Sequence, residues 1–102
     1  MKKENKNSKT KFFRLKVYDN YDVFDEDRVW YSSEYQTYEK ALEEAKSMVE
    51  GFYYANKSVE SLSDFLDRYS SLAEDPCIVD QDDHIVGEFR GIVYAQELYL
   101  AN

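Results

Sequence analysis

The chain has 102 residues, of which 43% are hydrophobic and 33% charged; these values suit one folded domain and exclude wholesale disorder or a cleft between two domains. A single cysteine excludes an internal disulfide, and no apolar run is long enough for a signal peptide or a membrane span, so we expect a cytoplasmic protein. Residues 1–11 carry five lysines and one glutamate, so the remainder holds eight basic and twenty acidic side chains, and its net charge of −12 disfavours direct nucleic-acid binding.

The first eleven residues are rich in lysine, asparagine and serine and contain no apolar residue after Met1. This composition predicts a disordered basic tail over 1–11 and a single α+β domain over 12–102. The tail is either a solubilising segment or a basic arm that touches nucleic acid or an acidic neighbour, and the sequence favours the first.

Two strands are predicted at the start of the domain. Residues 12–19 alternate, with Phe13, Leu15 and Val17 on one face, as in a half-buried strand. An acidic loop follows over 20–27, and residues 28–35 are rich in strand-forming side chains. The pattern predicts a hairpin with a long loop.

Two helices are predicted next. Apolar residues recur at helical spacing over 38–55, and Thr37 is a suitable N-cap. A second apolar stripe predicts a helix that starts near Ser58 and ends near Leu72. Pro76 then predicts a break in the chain.

The last third of the chain predicts a short hairpin and a final helix. Residues 77–79 and 84–86 are the two predicted strands, joined by a polar turn over 80–83. Over 91–100 strict alternation fails, which favours a helix over a strand. The predicted order is β-β-α-α-β-β-α, and the predicted fold class is α+β, a small antiparallel sheet with helices packed on one face.

Four segments of the first 80 residues carry short motifs. They are Val17-Tyr18-Asp19-Asn20-Tyr21, Asp25-Glu26-Asp27, Tyr35-Gln36-Thr37-Tyr38-Glu39-Lys40-Ala41 and Glu74-Asp75-Pro76-Cys77-Ile78. These motifs resemble a family of small uncharacterised bacterial proteins, which carries a "YDN-aromatic…DE" segment, a "T-x-E-x-A" helix start and a "GEDP" turn. The resemblance covers roughly residues 12–80 and implies no activity. Asp22 replaces an expected histidine and Ala73 an expected glycine, so a role for that histidine does not transfer.

The acidic loop is the main candidate site. A calcium loop needs oxygen ligands at alternate positions and a glycine at the sixth, and no register starting at Asp19 or Asp22 satisfies this. A solvated hairpin loop is the simplest interpretation. Aromatic residues among acids also resemble a protein interface. The predicted interaction residues are Tyr21, Asp22, Phe24, Asp25, Glu26, Asp27 and Trp30.

Other reactive groups do not form a predicted catalytic or metal site. The acids at 80, 82 and 83 fail the same calcium test and suit a polar turn. If Val79 faces His84 in the predicted hairpin, Cys77 and His84 are diagonal neighbours about 7–8 Å apart, which is too far for a hydrogen bond. We therefore expect no catalytic residue, no metal and no cofactor.

The sequence thus favours a non-enzymatic protein-interaction module. Its acidic, tyrosine-rich surface would suit a partner with a basic surface, as in an inhibitor that imitates nucleic acid or an immunity-type protein. The alternative is a small-ligand-binding protein or minor enzyme with a shallow groove between sheet and helices, lined by Tyr18, Trp30 and Tyr31. An exposed aromatic sheet face would also suit a homodimer.

Overall fold

The computed structural model describes residues 10–22 and 28–101, with only the backbone of Asp22. The predicted tail therefore lies outside the described residues except for its last two positions, and so does the acidic loop over 23–27. The secondary-structure elements are β1 (Phe13–Asp19), a 3-10 turn (Asn20–Asp22), β2 (Val29–Tyr31), α1 (Tyr38–Asn56), α2 (Leu62–Leu72), β3 (Glu74–Asp80) and α3 (Gly91–Ala101).

The three strands form an antiparallel sheet with β1 in the centre and the order β2-β1-β3. The predicted alternation along β1 is confirmed, because Leu15 and Val17 are fully buried while their neighbours Arg14, Lys16 and Tyr18 are not. A backbone hydrogen bond from Asp19 N to Arg28 O closes the base of the β1–β2 hairpin. The predicted α+β fold class is confirmed.

The first helix begins where the sequence predicts. The Thr37 side chain accepts a hydrogen bond from Lys40 N, as an N-cap does. One face of α1 places Ala41 and Ala45 against Leu15 and Val17 of β1. Small residues on the helix let its axis approach the sheet closely, which seals the sheet on this side.

The second helix starts later than predicted. Its N-cap is Ser61, whose side chain accepts from Asp64 N, and not Ser58. The segment before it is a turn, although Val59 still packs against the core. The predicted helix included this turn because Val59, which packs against the core from the turn, continues the apolar spacing of the helix.

Pro76 lies within β3 and does not break the chain as predicted. Ile78 is paired with Leu15 of β1, but the N–H and C=O of Leu15 bond to Ser32 on the other side. The C=O of Ile78 points away from β1 and accepts a hydrogen bond from Val86 N. Backbone direction alternates along a strand, so Pro76 also points away from β1. Its missing N–H therefore costs no hydrogen bond within the sheet.

The predicted second strand over 84–86 is reduced to one bridge between Val79 and Ile85. The polar turn before it forms as predicted, and the chain then leaves the sheet edge toward α3. The C-terminal segment is a helix, as favoured.

Two clusters of buried side chains make up the core. One lies between α1 and the sheet, and the other lies among the three helices around Phe65 and Tyr69. Phe89, in the segment before α3, packs against both. None of the helices in the described part of the chain is long and apolar enough to cross a membrane.

Candidate functional site

The structure places two of the predicted interaction side chains. Tyr21 is 74% exposed in the 3-10 turn after β1, where its N–H donates to Asp19 Oδ1. Trp30 is partly exposed on β2 opposite Val17. Both flank the same end of the hairpin. The side chains of Asp22, Phe24, Asp25, Glu26 and Asp27 lie outside the described residues.

The second acidic cluster is a polar turn, as predicted. Asp80 Oδ1 accepts hydrogen bonds from Asp82 N and His84 N, and Asp83 adopts a φ of 68°. Carboxylate and imidazole atoms of Asp80, Asp82 and His84 lie within 4.8 Å of one another. Since Asp80 already accepts two backbone donors, this arrangement is explained by the turn itself.

The structure does not pair Cys77 with His84. The hairpin register joins Val79 to Ile85 rather than to His84, and His84 Nδ1 lies 3.8 Å from Asp80 Oδ2. Burial raises the pKa of the Cys77 thiol, which disfavours the reactive thiolate.

The face of the sheet opposite the helices carries cations and tyrosine rings. The Arg14 guanidinium lies 4.6 Å from the centre of the Tyr31 ring, and Lys16 Nζ is 3.2 Å from Asp83 Oδ2. The Tyr31 hydroxyl donates to the other oxygen of Asp83. Arg28 lies over the Tyr18 ring. This face is therefore more cationic than the chain as a whole.

A groove of about 540 Å³ lies between β3, the segment before α3, and the start of α3. We call it the β3–α3 groove. Most of its wall is apolar, and three charged residues, Asp75, Glu88 and Arg90, also line it. Its lining residues are Tyr18, Asp75, Pro76, Cys77, Ile85, Gly87, Glu88, Phe89, Arg90, Gly91 and Ile92.

Asp75 is the half-buried acid of this groove. The hydroxyl of Tyr69, a buried residue of α2, donates to Asp75 Oδ1 at 2.9 Å. Burial raises the pKa of the Asp75 carboxyl, while the Tyr69 hydrogen bond and the positive charge of Arg90 oppose that rise. A Cβ atom on Gly91 would lie 2.3 Å from both Asp75 Oδ1 and the Tyr69 hydroxyl. Only glycine therefore lets α3 begin so close to this pair.

A second candidate surface lies where α1 and α3 meet. The Tyr94 hydroxyl donates to Glu50 Oε2 at 2.5 Å, and Lys46 Nζ lies 5.4 Å from the centre of the Tyr94 ring. The hydrogen bond to Glu50, partial burial, and the charges of Glu50 and Glu97 raise the pKa of Tyr94 to about 12. Tyr54, which is 67% exposed, also contributes to this rise. The α1–α3 surface consists of Lys46, Glu50, Tyr54, Tyr94 and Glu97.

These two sites differ from the predicted ones. The groove does lie between sheet and helix, but of its three predicted lining residues only Tyr18 lines it. Trp30 and Tyr31 belong to the far edge strand, and Tyr31 contacts Arg14 and Asp83 instead. Asp75 and Cys77 lie close together on β3, but Phe89 and Ile92 come later in the chain, and no local spacing places them beside this strand. The sequence signals near the groove were Tyr18 and the GEDP-like motif, and that motif lies within β3 rather than in a turn.

Comparisons with known proteins add no relative. No protein-family model, curated protein or solved structure matches this chain. The resemblance to a family of small bacterial proteins stays a prediction.

Proposed function

We propose that this chain is a non-enzymatic protein-interaction module that binds a partner with a basic surface through its helical side. One observation carries the proposal: charge is sorted between the two sides of the sheet. The exposed sheet face holds Arg14, Lys16 and, beside it, Arg28, with Asp83 as the acid that pairs with Lys16. The helices hold seven acids and three cations: Glu39, Glu43, Glu44, Glu50, Asp64, Asp67 and Glu97 against Lys40, Lys46 and Arg68.

The α1–α3 surface is the best supported contact region on that side. An exposed tyrosine beside carboxylates combines a large contact area with attraction for cations. Lysine side chains of the chain itself already lie over both tyrosine rings, Lys46 over Tyr94 and Lys57 over Tyr54. A lysine or arginine of a partner could take the same position, because such exposed contacts are held by only about 0.5–1 kcal/mol.

The experiment compares a lysine- and arginine-rich peptide with a glutamate-rich peptide of equal length. Fluorescence anisotropy should detect binding of the basic peptide only, and that binding should weaken strongly between about 0.05 and 0.3 M salt. The double variant Glu50→Gln/Glu97→Gln should weaken binding by about threefold or more.

The control removes the same charge elsewhere. Glu34→Gln/Asp82→Asn changes two exposed acids outside the helices and should have a smaller effect. Equal binding of both peptides, or equal effects of the two double variants, would show that the helical side is not the contact surface.

A second candidate function is binding of a small ligand, with or without turnover, in the β3–α3 groove. Its volume of about 540 Å³ lies within the range of about 300–1,000 Å³ that is usual for ligand pockets. Converging polar groups at Asp75 and Arg90 favour a ligand of mixed character. A fragment screen observed by NMR, with shifts at Gly91 and Ile92, would test this candidate.

A further inference from the structure

The β3–α3 groove combines apolar side chains with two acids, the exposed Glu88 and the half-buried Asp75. Pro76, Phe89 and Ile92 form the apolar part together with the Tyr18 ring. Tyr69 donates to Oδ1 of Asp75, and the described residues donate no hydrogen bond to Oδ2. An ionised carboxylate accepts several hydrogen bonds, so a ligand donor can still be accommodated there.

A cation on an aliphatic stem fits this combination. Long basic side chains bury their methylene groups against apolar surface and keep the charged end at a polar contact. Arg90 also lines the groove, yet it makes no ion pair with Asp75 within the described residues. The carboxylate is therefore near a positive charge of its own chain without being neutralised by direct contact.

The groove adjoins the surface that we assign to partner binding. Glu88, Phe89 and Arg90 line both the groove and a depression of about 220 Å³ that contains Lys46, Tyr94 and Glu97. One partner can therefore cover the α1–α3 surface and reach into the groove. This continuity favours a side chain of a partner protein over a free small molecule.

We propose that the β3–α3 groove receives a lysine or arginine side chain of the partner, together with a neighbouring apolar residue, and that Asp75 is its counter-ion. The inference rests on the proposed function and specifies which residue types the partner inserts. The apolar neighbour contacts Phe89 and Ile92, while the basic side chain reaches Asp75. Recognition of this kind needs both features in the same short segment.

The test uses the whole chain and a peptide that contains a leucine-lysine pair in an otherwise neutral sequence. Asp75→Asn should weaken binding by about ten- to a hundredfold, because it removes a charge-assisted contact and keeps an acceptor for Tyr69. Glu74→Gln removes the same charge from the exposed neighbour outside the groove and should change binding by less than about twofold.

The Arg90→Gln variant tests whether a positive charge near Asp75 opposes binding of the lysine peptide. Removing a like charge from the groove should tighten binding of the lysine peptide by about twofold or more. If instead Arg90→Gln weakens binding of this peptide and Asp75→Asn does not, the basic side chain does not lie beside Asp75 and the proposal is wrong.

The single thiol supplies a readout that does not depend on any variant. Cys77 lines the groove and is the only cysteine in the chain. A saturating lysine peptide should slow alkylation of Cys77 by N-ethylmaleimide at least about fivefold, since an occupied groove excludes the reagent. Alkylation at an unchanged rate would overturn the proposal even if Asp75→Asn failed to fold.

Two further outcomes separate this inference from the proposed function. Salt-sensitive binding of basic peptides without any protection of Cys77 leaves the proposed function intact and refutes the groove as its pocket. Absence of binding by any basic peptide refutes both. If butylamine protects Cys77 as well as the leucine-lysine peptide does at equal concentration, the occupant is a small amine and the assignment to a partner side chain is wrong.

Discussion

Each of the two candidate sites contains a hydrogen bond from a tyrosine hydroxyl to a carboxylate. Tyr69 donates to Asp75 at the edge of the β3–α3 groove, and Tyr94 donates to Glu50 on the α1–α3 surface. Tyr69 is 1% exposed, whereas Tyr94 is only partly buried and lies beside Lys46. The Tyr69–Asp75 hydrogen bond thus connects α2 to β3 inside the fold, whereas the Tyr94–Glu50 hydrogen bond is part of a solvated surface.

Burial explains this difference. A polar group that loses its partner in a dry environment also loses the water that would replace it, so the bond at Asp75 matters more than the bond at Glu50. Loss of this hydrogen bond should therefore cost more stability at the groove than on the α1–α3 surface.

The largest effect is expected from a methyl group at Gly91. Gly91→Ala places a Cβ 2.3 Å from Asp75 Oδ1 and the Tyr69 hydroxyl, which must separate to make room. We expect the free energy of unfolding to fall by about 1–3 kcal/mol in urea denaturation. Gly51→Ala is the matched control, since no atom lies within 4 Å of its added Cβ. It should raise the stability by up to about 1 kcal/mol, and equal effects of the two changes would contradict the packing described at the groove.

Removing each tyrosine hydroxyl tests the comparison directly. Tyr69→Phe leaves the half-buried Asp75 carboxylate without its donor and should lower the free energy of unfolding by about 1–3 kcal/mol. Tyr94→Phe should lower it by less than about 1 kcal/mol, because water can replace the lost hydroxyl at Glu50. Thermal unfolding of both variants under one condition is the measurement, and a larger loss for Tyr94→Phe would reverse our assignment of the two sites.

The raised pKa of Asp75 determines how the stability should change with pH. The folded state raises the pKa of Asp75 above its unfolded value, so its contribution is fully present below the unfolded pKa of about 4 and is lost as the pH rises through the folded pKa. The stability of wild type relative to Asp75→Asn should therefore fall as the pH rises from about 4 toward neutrality.

The lowered pKa of Asp83 predicts the opposite pH dependence of stability in the same experiment. Hydrogen bonds from Lys16 and Tyr31 lower the pKa of Asp83, so its contribution is present above the unfolded pKa and is lost as the pH falls through the folded one. The stability of wild type relative to Asp83→Asn should shrink only on acidification. Parallel pH profiles for the two variants would show that burial does not control Asp75.

The smallest effect concerns ionisation of Tyr94 alone. Ultraviolet difference titration should assign to Tyr94 a pKa of about 12, and Glu50→Gln should lower that value because the charged acceptor is gone. Comparison with Tyr94→Phe identifies the transition of this residue among the other tyrosines. An unchanged titration in Glu50→Gln would mean that the bond between them does not persist in solution.

Local patterns in the sequence predicted the elements that depend on local interactions. The stripe of α1, its Thr37 cap and the alternation along β1 are each set by near neighbours, and each is confirmed. The start of α2 and the extent of β3 were wrong because Val59 and Pro76 take their roles from distant packing partners. The composition of the acidic loop predicted an interaction site, and most of this loop lies outside the described residues.

A groove between sheet and helices was predicted, but its lining apart from Tyr18 could not be predicted for the same reason. Asp75 and Cys77 lie on β3, whereas the far wall is the start of α3. Gly91 gave no local signal, since its role appears only when Tyr69 and Asp75 are placed against it. The order of elements was predictable, but the distances between them were not.

Pro76 has a consequence for the behaviour of the protein at high concentration. An uncovered edge strand normally recruits strands of other molecules, and the resulting stacks lead to fibrils. Since Pro76 presents no donor on the outer edge of β3, a ladder with an incoming strand is interrupted in its middle, and the charge of Glu74 opposes the approach further. Residues 84–86 already cover this edge at Ile78 and Asp80, so Pro76 protects the part of the edge that they leave unpaired against fibril growth.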